Sequence, residues 1–100
     1  MTNSDQKNPS NAEIDTLFAA YDAGNFQRSE SICRQLLERY PESGFVLNML
    51  GATQDASGRS TEALQSYEKA IEVEPGYADT YNNIGILLKR LGKHEEALAR

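Results

Sequence analysis

The chain has 100 residues, which at the usual domain size allows one domain with a short tail. The formal net charge is −5, and no apolar run approaches the roughly 18 residues that a membrane helix needs, so we expect neither nucleic acid nor a bilayer as partner. One cysteine, Cys33, and one histidine, His94, provide too few groups for an internal disulfide, a metal cluster or acid–base catalysis. The composition predicts a cytoplasmic protein that is not an enzyme and holds no metal or cofactor.

The N-terminal segment is polar through Asn8 and lacks the basic start and apolar stretch of a secretory signal. We predict a disordered leader over residues 1–9. Order is expected to begin at Ser10, because Ser10 and Glu13 have the spacing of a capping box, in which each residue closes a free N–H at a helix start.

The rest of the chain repeats itself every 34 residues. The spacing recurs in turn glycines, in prolines, in small residues and in positions inside the predicted helices: Gly24, Gly58 and Gly92; Pro41 and Pro75; Ser29, Ala63 and Ala97; Gly51 and Gly85; Cys33 and Tyr67. So many coincidences at one spacing indicate an internal repeat.

Each repeat is predicted to be a helical hairpin. A glycine that can adopt the left-handed conformation ends the first helix, and a proline stops the second. The predicted helices are Asn11–Ala23 and Phe26–Tyr40, then Phe45–Ser57 and Thr61–Glu74 with Ser60 as the N-cap, then Asp79–Leu91 and a last helix from His94. A mid-helix glycine costs about 1 kcal/mol relative to alanine. We therefore predict that Gly51 and Gly85 allow close packing inside their hairpins.

This pattern resembles the tetratricopeptide repeat, a unit of 34 residues that forms a helix–turn–helix. The resemblance is carried by Leu50-Gly51, Gly58, Ala63, Tyr67, Ala70 and Pro75, and by Tyr81, Ile84-Gly85, Gly92 and Ala97. It implies an all-α, right-handed superhelical stack of antiparallel helix hairpins, with repeats over residues 10–43 and 44–77 and an incomplete third over 78–100. The first repeat departs from the pattern, because Leu17 fills a small-residue position and Cys33 an aromatic one.

The resemblance also implies a scaffold for protein–protein interaction, whose concave face is lined by the first helix of each repeat. Matched position by position, that face carries the candidate partner-binding residues Phe18, Tyr21, Phe45, Asn48, Asn82, Asn83 and Lys89. Phe18, Tyr21 and Phe45 are expected to cluster, either as anchors for a partner or as simple packing. The asparagines either bond a peptide backbone or lie on a solvated surface, and the same choice applies to the basic patch at Lys89.

Two other interpretations stay open. The repeats are an accessory substrate-binding or assembly module of a larger enzyme, of transferase type, whose catalytic domain lies beyond residue 100. Alternatively, the chain forms a homodimer through its uncapped C-terminal edge, since the third repeat lacks counterparts of Tyr67–Glu74. Cys33 is expected to be a buried core residue.

Overall fold

The computed structural model describes residues 7–99, with side chains through Lys93. This part of the chain is all-α and contains five helices and no strand. The helices are α1 (Asn11–Asp22), α2 (Phe26–Arg39), α3 (Gly44–Ala56), α4 (Ser60–Val73) and α5 (Ala78–Ala99). Successive helices pack against each other, and α3 also lies against α5. The predicted all-α stack of helix hairpins is confirmed.

The start of α1 confirms the predicted capping box. The Ser10 hydroxyl accepts from the Glu13 N–H at 3.3 Å, and the Ser10 N–H donates to a Glu13 carboxylate oxygen at 2.9 Å. The last residues of the predicted leader contact the helical part of the chain. Pro9 is buried, and the Ser43 hydroxyl donates to the Asn8 side-chain oxygen at 2.5 Å. Asn8 thus bonds to the residue that caps α3, and residues 1–6 of the predicted leader lie outside the described residues.

The turn of each complete hairpin contains a left-handed glycine. Gly24 has φ +76° and Gly58 has φ +83°. Asn25 follows the first turn and caps α2, since its side chain accepts from the Arg28 N–H at 3.2 Å. The predicted N-cap Ser60 is wrong: Arg59 holds that position without a side-chain cap bond. The turn geometry places the residue directly after the glycine at the cap, so Ser60 is already helical.

The second hairpin closes through a contact between backbone and ring. A Cβ added at Gly51 would lie 2.5 Å from the Tyr67 ring, which is 2% exposed. Ala63 on the facing helix is fully buried. The predicted close packing at Gly51 is confirmed, because no larger side chain leaves room for the tyrosine.

The core is continuous from the first hairpin into α3. Its buried cluster consists of Leu17, Cys33, Leu36, Tyr40, Val46, Met49 and Leu50. Two pairs of buried polar groups connect neighbouring helices: the hydroxyls of Ser29 and Thr53 lie 2.8 Å apart, and Ser66 donates to Gln54 at 2.5 Å. Leu17 and Cys33, the two departures from the repeat pattern, are fully buried in this cluster.

The third repeat differs from the prediction. Helix α5 continues through Gly92 to Ala99, so the predicted break at Gly92 and the separate helix from His94 are wrong. Close packing at Gly85 is also wrong, because no atom of the described residues lies within 4 Å of an added Cβ. Both errors have one cause: the segment after Gly92 does not fold back against α5, so the surface at Gly85 has no facing helix. The side chain of Ala97 lies outside the described residues.

Candidate functional site

The predicted binding residues all lie on α1, α3 and α5, the first helix of each repeat. We call the surface formed by these three helices the inner face. It carries Phe18, Tyr21, Phe45, Asn48, Asn82, Asn83 and Lys89. The structure brings some of these residues into contact and separates others, so each group is described in turn.

The aromatic residues form two pairs instead of the predicted cluster of three. The rings of Phe18 and Phe45 meet edge to face, with centroids 5.8 Å apart and planes at 80°. Tyr21 instead packs against Phe26 of α2, with centroids 5.5 Å apart. These two residues flank the turn at Gly24, and closure of the first hairpin brings them together. Phe18 remains 39% exposed beside Phe45, which packs against the core.

The asparagines link two helices across the inner face. The Asn83 amide donates to the Asn48 side-chain oxygen at 3.0 Å, from α5 to α3. Asn48 and Asn82 hold the same repeat position, yet Asn48 is 5% exposed while Asn82 is exposed. Asn48 is therefore a buried partner of the Asn83 amide, and the Asn82 amide is exposed on this surface.

A groove of about 190 Å³ lies between the helices next to this amide pair. Arg90 of α5 and Asp55 of α3 form an ion pair at the groove. Tyr67 of α4 also lines the groove, and burial together with the nearby Asp55 carboxylate raises the pKa of its hydroxyl to about 12. The groove is lined by Tyr21, Ala52, Asp55, Ala56, Tyr67, Asn83, Ile86 and Arg90.

Sequence matching missed Tyr67 as a groove residue, because it assigned the inner face to the first helices only. The signal for it was available: Gly51 has no side chain, so the ring of Tyr67 can reach between α3 and the groove. Lys89 is exposed, as expected for the predicted basic patch, whereas its neighbour Arg90 is paired with Asp55.

An apolar row crosses the inner face at one repeat position. Phe18, Ala52 and Ile86 are separated by 34 residues each and lie on α1, α3 and α5. Phe18 is 39% exposed and Ile86 is 54% exposed, while Ala52 between them is half-buried. The row therefore consists of two large apolar side chains with a small residue between them.

The described part of the chain has few side chains of the kinds that catalyse reactions or bind metal ions in other proteins. Burial raises the pKa of the Cys33 thiol to about 12, and the side chain is fully buried, which confirms its place in the core. Among the described residues, no three His, Cys, Asp or Glu side chains are grouped so that they could hold a metal ion. None of the described helices is both long and apolar enough to span a bilayer.

Segments similar to this chain occur in proteins of different kinds. It is 35% identical over 86 residues to the probable biofilm formation methyltransferase WspC of Pseudomonas aeruginosa, covering 85% of this chain and 20% of that protein. It is 33% identical over 84 residues to the peroxisomal targeting signal receptor of Kluyveromyces lactis, covering 84% and 14%. It is 33% identical over 97 residues to the BBSome complex member BBS4 homolog of Drosophila melanogaster, covering 92% and 19%. The chain thus spans a fifth or less of the length of these relatives.

Two family models also match. A model described as a tetratricopeptide repeat matches residues 18–43, and one described as a TPR repeat matches residues 56–92. Together they cover more than half of the chain and fall on the hairpins described above. The chain belongs to the tetratricopeptide repeat family, and its stack of helix hairpins is a protein-interaction module.

Proposed function

We propose that the inner face binds a protein or peptide partner in an extended conformation. The contacts are made by Phe18, Tyr21, Phe45, Asn82, Asn83, Ile86 and Lys89, and Asn48 holds Asn83 in place. We propose the binding surface and do not identify the partner, since one repeat scaffold supports many unrelated functions.

The observation that carries the proposal is the apolar row of Phe18, Ala52 and Ile86. Singly exposed apolar residues are ordinary on a protein surface. Here the exposed residues recur at the same position of different repeats, with exposed fractions of 39% and 54%. Ala52 lies between them and leaves room at the groove. A peptide that crosses the three helices meets an apolar contact at each end of this row.

The polar groups beside the row are already oriented. Asn83 is held by Asn48 at 3.0 Å, and the guanidinium of Arg90 is held by Asp55. Groups fixed before binding lose less side-chain entropy when a partner arrives. An amide both donates and accepts, so Asn82 and Asn83 suit the backbone of an extended peptide, whatever its side chains.

Selection from a random phage-displayed peptide library against the intact chain tests the proposal. We expect the selected peptides to lose at least about tenfold in affinity with Phe18→Ser or Ile86→Ser, measured by isothermal titration calorimetry. Asn82→Ala is expected to weaken binding less. Lys69→Ala, an exposed change on α4, is the matched control and should leave the affinity unchanged.

Circular dichroism of each variant checks that the helices are intact. Peptides whose affinity is unchanged by both Phe18→Ser and Ile86→Ser would place binding on another surface and contradict the proposal. A library that yields no binding peptide contradicts it as well.

A second candidate function is an accessory module within a larger enzyme of transferase type. It is supported by the relative named as a probable methyltransferase, of which this chain matches 20%. In that case the repeats hold a substrate protein or assemble the enzyme, and catalysis belongs to another domain. Reading the parent gene on both sides of these 100 codons tests this: a transferase domain supports it, and flanks without any enzyme domain contradict it.

We further propose that the chain acts in the cytoplasm, has no cofactor or catalytic group of its own and avoids nucleic acid. The buried Cys33 thiol, with its pKa raised to about 12, is unreactive at neutral pH. A net charge of −5 repels phosphates. Cell fractionation and titration of a labelled oligonucleotide test these points. We also propose repeat boundaries at 10–43, 44–77 and 78–100, which limited proteolysis can test.

A further inference from the structure

The two ends of the apolar row on the inner face carry opposite charges, and the α1 end is acidic. Phe18 lies three residues after Asp15 and four residues before Asp22, and residues at these spacings share one face of a helix. Both aspartates are exposed, and α1 contains no lysine or arginine. A partner that reaches Phe18 therefore meets carboxylates on both sides of the ring.

The α5 end of the row is basic. Three cationic side chains follow Ile86 at spacings of three, four and seven residues, which place them on the same side of the helix: Lys89, Arg90 and Lys93. All three are exposed. Lys93 stays on this side because α5 continues as a helix through Gly92. Its counterpart one repeat earlier, Arg59, lies beyond the turn of the second hairpin and donates to Glu30 instead.

The middle of the inner face is electrically compensated. Asp55 is the only charged residue of α3, and its carboxylate accepts from the Arg90 guanidinium. Asp79 also lies on the inner side of α5, but it is in the first turn, where a carboxylate stabilises the start of a helix. From α1 to α5, the charge beside the apolar row thus changes from negative through neutral to positive.

The charges at the two ends of the row do not stabilise the helices that carry them. Asp22 is the last residue of α1, where the negative end of the helix dipole disfavours a carboxylate. Lys89 and Lys93 are four residues apart on α5, a spacing at which like charges repel each other. Local arrangements that cost stability are expected at functional surfaces, which supports a role of these charges in binding.

We propose that the segment bound by the inner face is charge-polarised, with a lysine or arginine over α1, an aspartate or glutamate over α5 and apolar side chains between them. This inference rests on the proposed peptide binding and adds the chemistry of the partner and the direction in which it lies. A peptide that bound in the reverse direction would set like charges opposite each other at both ends, so the charges select one direction.

The packing of the three helices sets the spacing of the charges in the partner. Helices α1 and α3 are neighbours, since the rings of Phe18 and Phe45 meet. Helices α3 and α5 are neighbours, since Asn83 donates to Asn48. Packed helices lie about 8–10 Å apart, so the two ends of the row are separated by about 16–20 Å. An extended chain advances about 3.3 Å per residue, which sets the two charged residues of the partner about five or six positions apart.

Pairs of peptides that differ only in the placement of their charges test the inference. Each peptide selected from the library is synthesised with blocked termini, once as selected and once with its basic and acidic residues exchanged, which preserves composition and net charge. We expect opposite charges about five or six positions apart in the selected peptides. The exchange should lower the affinity at least tenfold in isothermal titration calorimetry. This difference should nearly vanish at about 1 M salt, where the screening length is about 3 Å.

Exchanging the charges on the protein tests the same contacts from the other side. A fourfold variant reverses both ends of the row and keeps the net charge: Asp15→Lys, Asp22→Lys, Lys89→Glu and Lys93→Glu. It should bind the exchanged peptide more tightly than the selected one. The matched control reverses the exposed ion pair of α4, with Lys69→Glu and Glu72→Lys, and should leave both affinities unchanged. Circular dichroism checks the helices, and the peptide exchange itself needs no protein variant.

Selected peptides that lose affinity with Phe18→Ser or Ile86→Ser but bind equally well after the charge exchange would overturn this inference and leave the proposed binding surface intact. Selected peptides without opposite charges would overturn it too. So would a folded fourfold variant that keeps the original preference, or a control variant that reverses it. Peptides that are insensitive to both serine variants contradict the proposed function itself and, with it, this inference.

Discussion

The second hairpin and the third repeat begin with similar sequences and end in different structures. At Gly58 the chain turns back and α4 packs against α3, whereas α5 runs straight through Gly92. A Cβ at Gly51 would meet the Tyr67 ring, whereas a Cβ at Gly85 would have no neighbour within 4 Å in the part of the chain that the structure describes. The comparison shows that a turn glycine permits a hairpin without enforcing it. The contacts of the returning helix decide whether the chain turns.

An ion pair sharpens this contrast. Arg59, directly after the turn at Gly58, donates to the Glu30 carboxylate on α2. One repeat later the corresponding residues are Lys93 and Leu64, so the sequence supplies an apolar side chain where the first repeat has the Glu30 carboxylate. The ion pair between Arg59 and Glu30 therefore connects the turn of the second hairpin to the first repeat. The third repeat has no carboxylate at the position that corresponds to Glu30.

The largest expected effect comes from adding one methyl group at the two helix glycines. Gly51→Ala places a Cβ 2.5 Å from the Tyr67 ring, and such overpacking costs about 1–3 kcal/mol. Gly85→Ala meets no neighbour and gains helix propensity of up to about 1 kcal/mol. Urea titrations followed by circular dichroism should therefore move in opposite directions. Equal shifts for the two variants would refute the difference in packing.

The turn glycines give the next largest contrast. Gly58→Ala forces a side chain into φ +83° and should lower the free energy of unfolding by about 1–2 kcal/mol. Gly92→Ala lies inside α5 and should raise it by up to about 1 kcal/mol. Thermal unfolding measures both. A destabilising Gly92→Ala would indicate that the chain turns at this glycine in solution, as its sequence first suggests.

The repeat spacing predicted the helices well, because the periodic side chains are the residues that pack. Helix α2, predicted over Phe26–Tyr40, is found over Phe26–Arg39. The repeat spacing itself favours Arg59 over Ser60 as the N-cap of α4, since Asn25 caps α2 one repeat before Arg59. The capping preference of serine predicts the wrong residue here, because the turn glycine fixes which position becomes the cap.

The inner face could be predicted only in part. The spacing identified which residues share a repeat position, and Phe18 and Ile86 are exposed on the inner face. The spacing could not predict how deeply each side chain is buried. Asn48 is buried and Asn82 exposed at the same position, because α5 lies over α3 and no further helix of the described chain lies over α5. The burial of a side chain depends on the neighbouring helix, which the sequence of a single repeat does not specify.

A buried hydroxyl in the third repeat offers a smaller test. Thr80 is fully buried, and its hydroxyl has no hydrogen-bond partner among the described residues. Thr80→Val keeps the shape and removes the unpaired group, so it should stabilise the chain by about 1 kcal/mol. Thr53→Val in the second repeat is the matched change. It leaves the Ser29 hydroxyl unpaired and should destabilise by a similar amount. Chemical denaturation at neutral pH distinguishes the two, and stabilisation by both would contradict the pairing.

The smallest expected effect concerns the anchor of the Gly58 turn and depends on pH. Hydrogen bonding from Arg59 lowers the pKa of Glu30 below its ordinary 4.5. A carboxyl whose pKa is lower in the folded state stabilises the fold above its unfolded pKa, and this contribution is lost as pH falls through the folded value. The stability difference between the unsubstituted chain and Glu30→Gln should therefore be largest near pH 7 and shrink below pH 4.5.

Glu62→Gln is the control for this last prediction, because Glu62 also bonds Arg59 but from the same hairpin and with a more exposed carboxylate. Its effect should be smaller at every pH, since an exposed ion pair contributes little. Hydrogen exchange of the Arg59 amide, which donates to the Gln54 carbonyl at 2.9 Å, reports on the turn itself. Faster exchange in Glu30→Gln than in Glu62→Gln would show that the first repeat holds the second turn in place. Equal rates would indicate that Gly58 alone fixes the turn of the second hairpin. The missing contacts at Gly85 would then be the reason why α5 continues through Gly92.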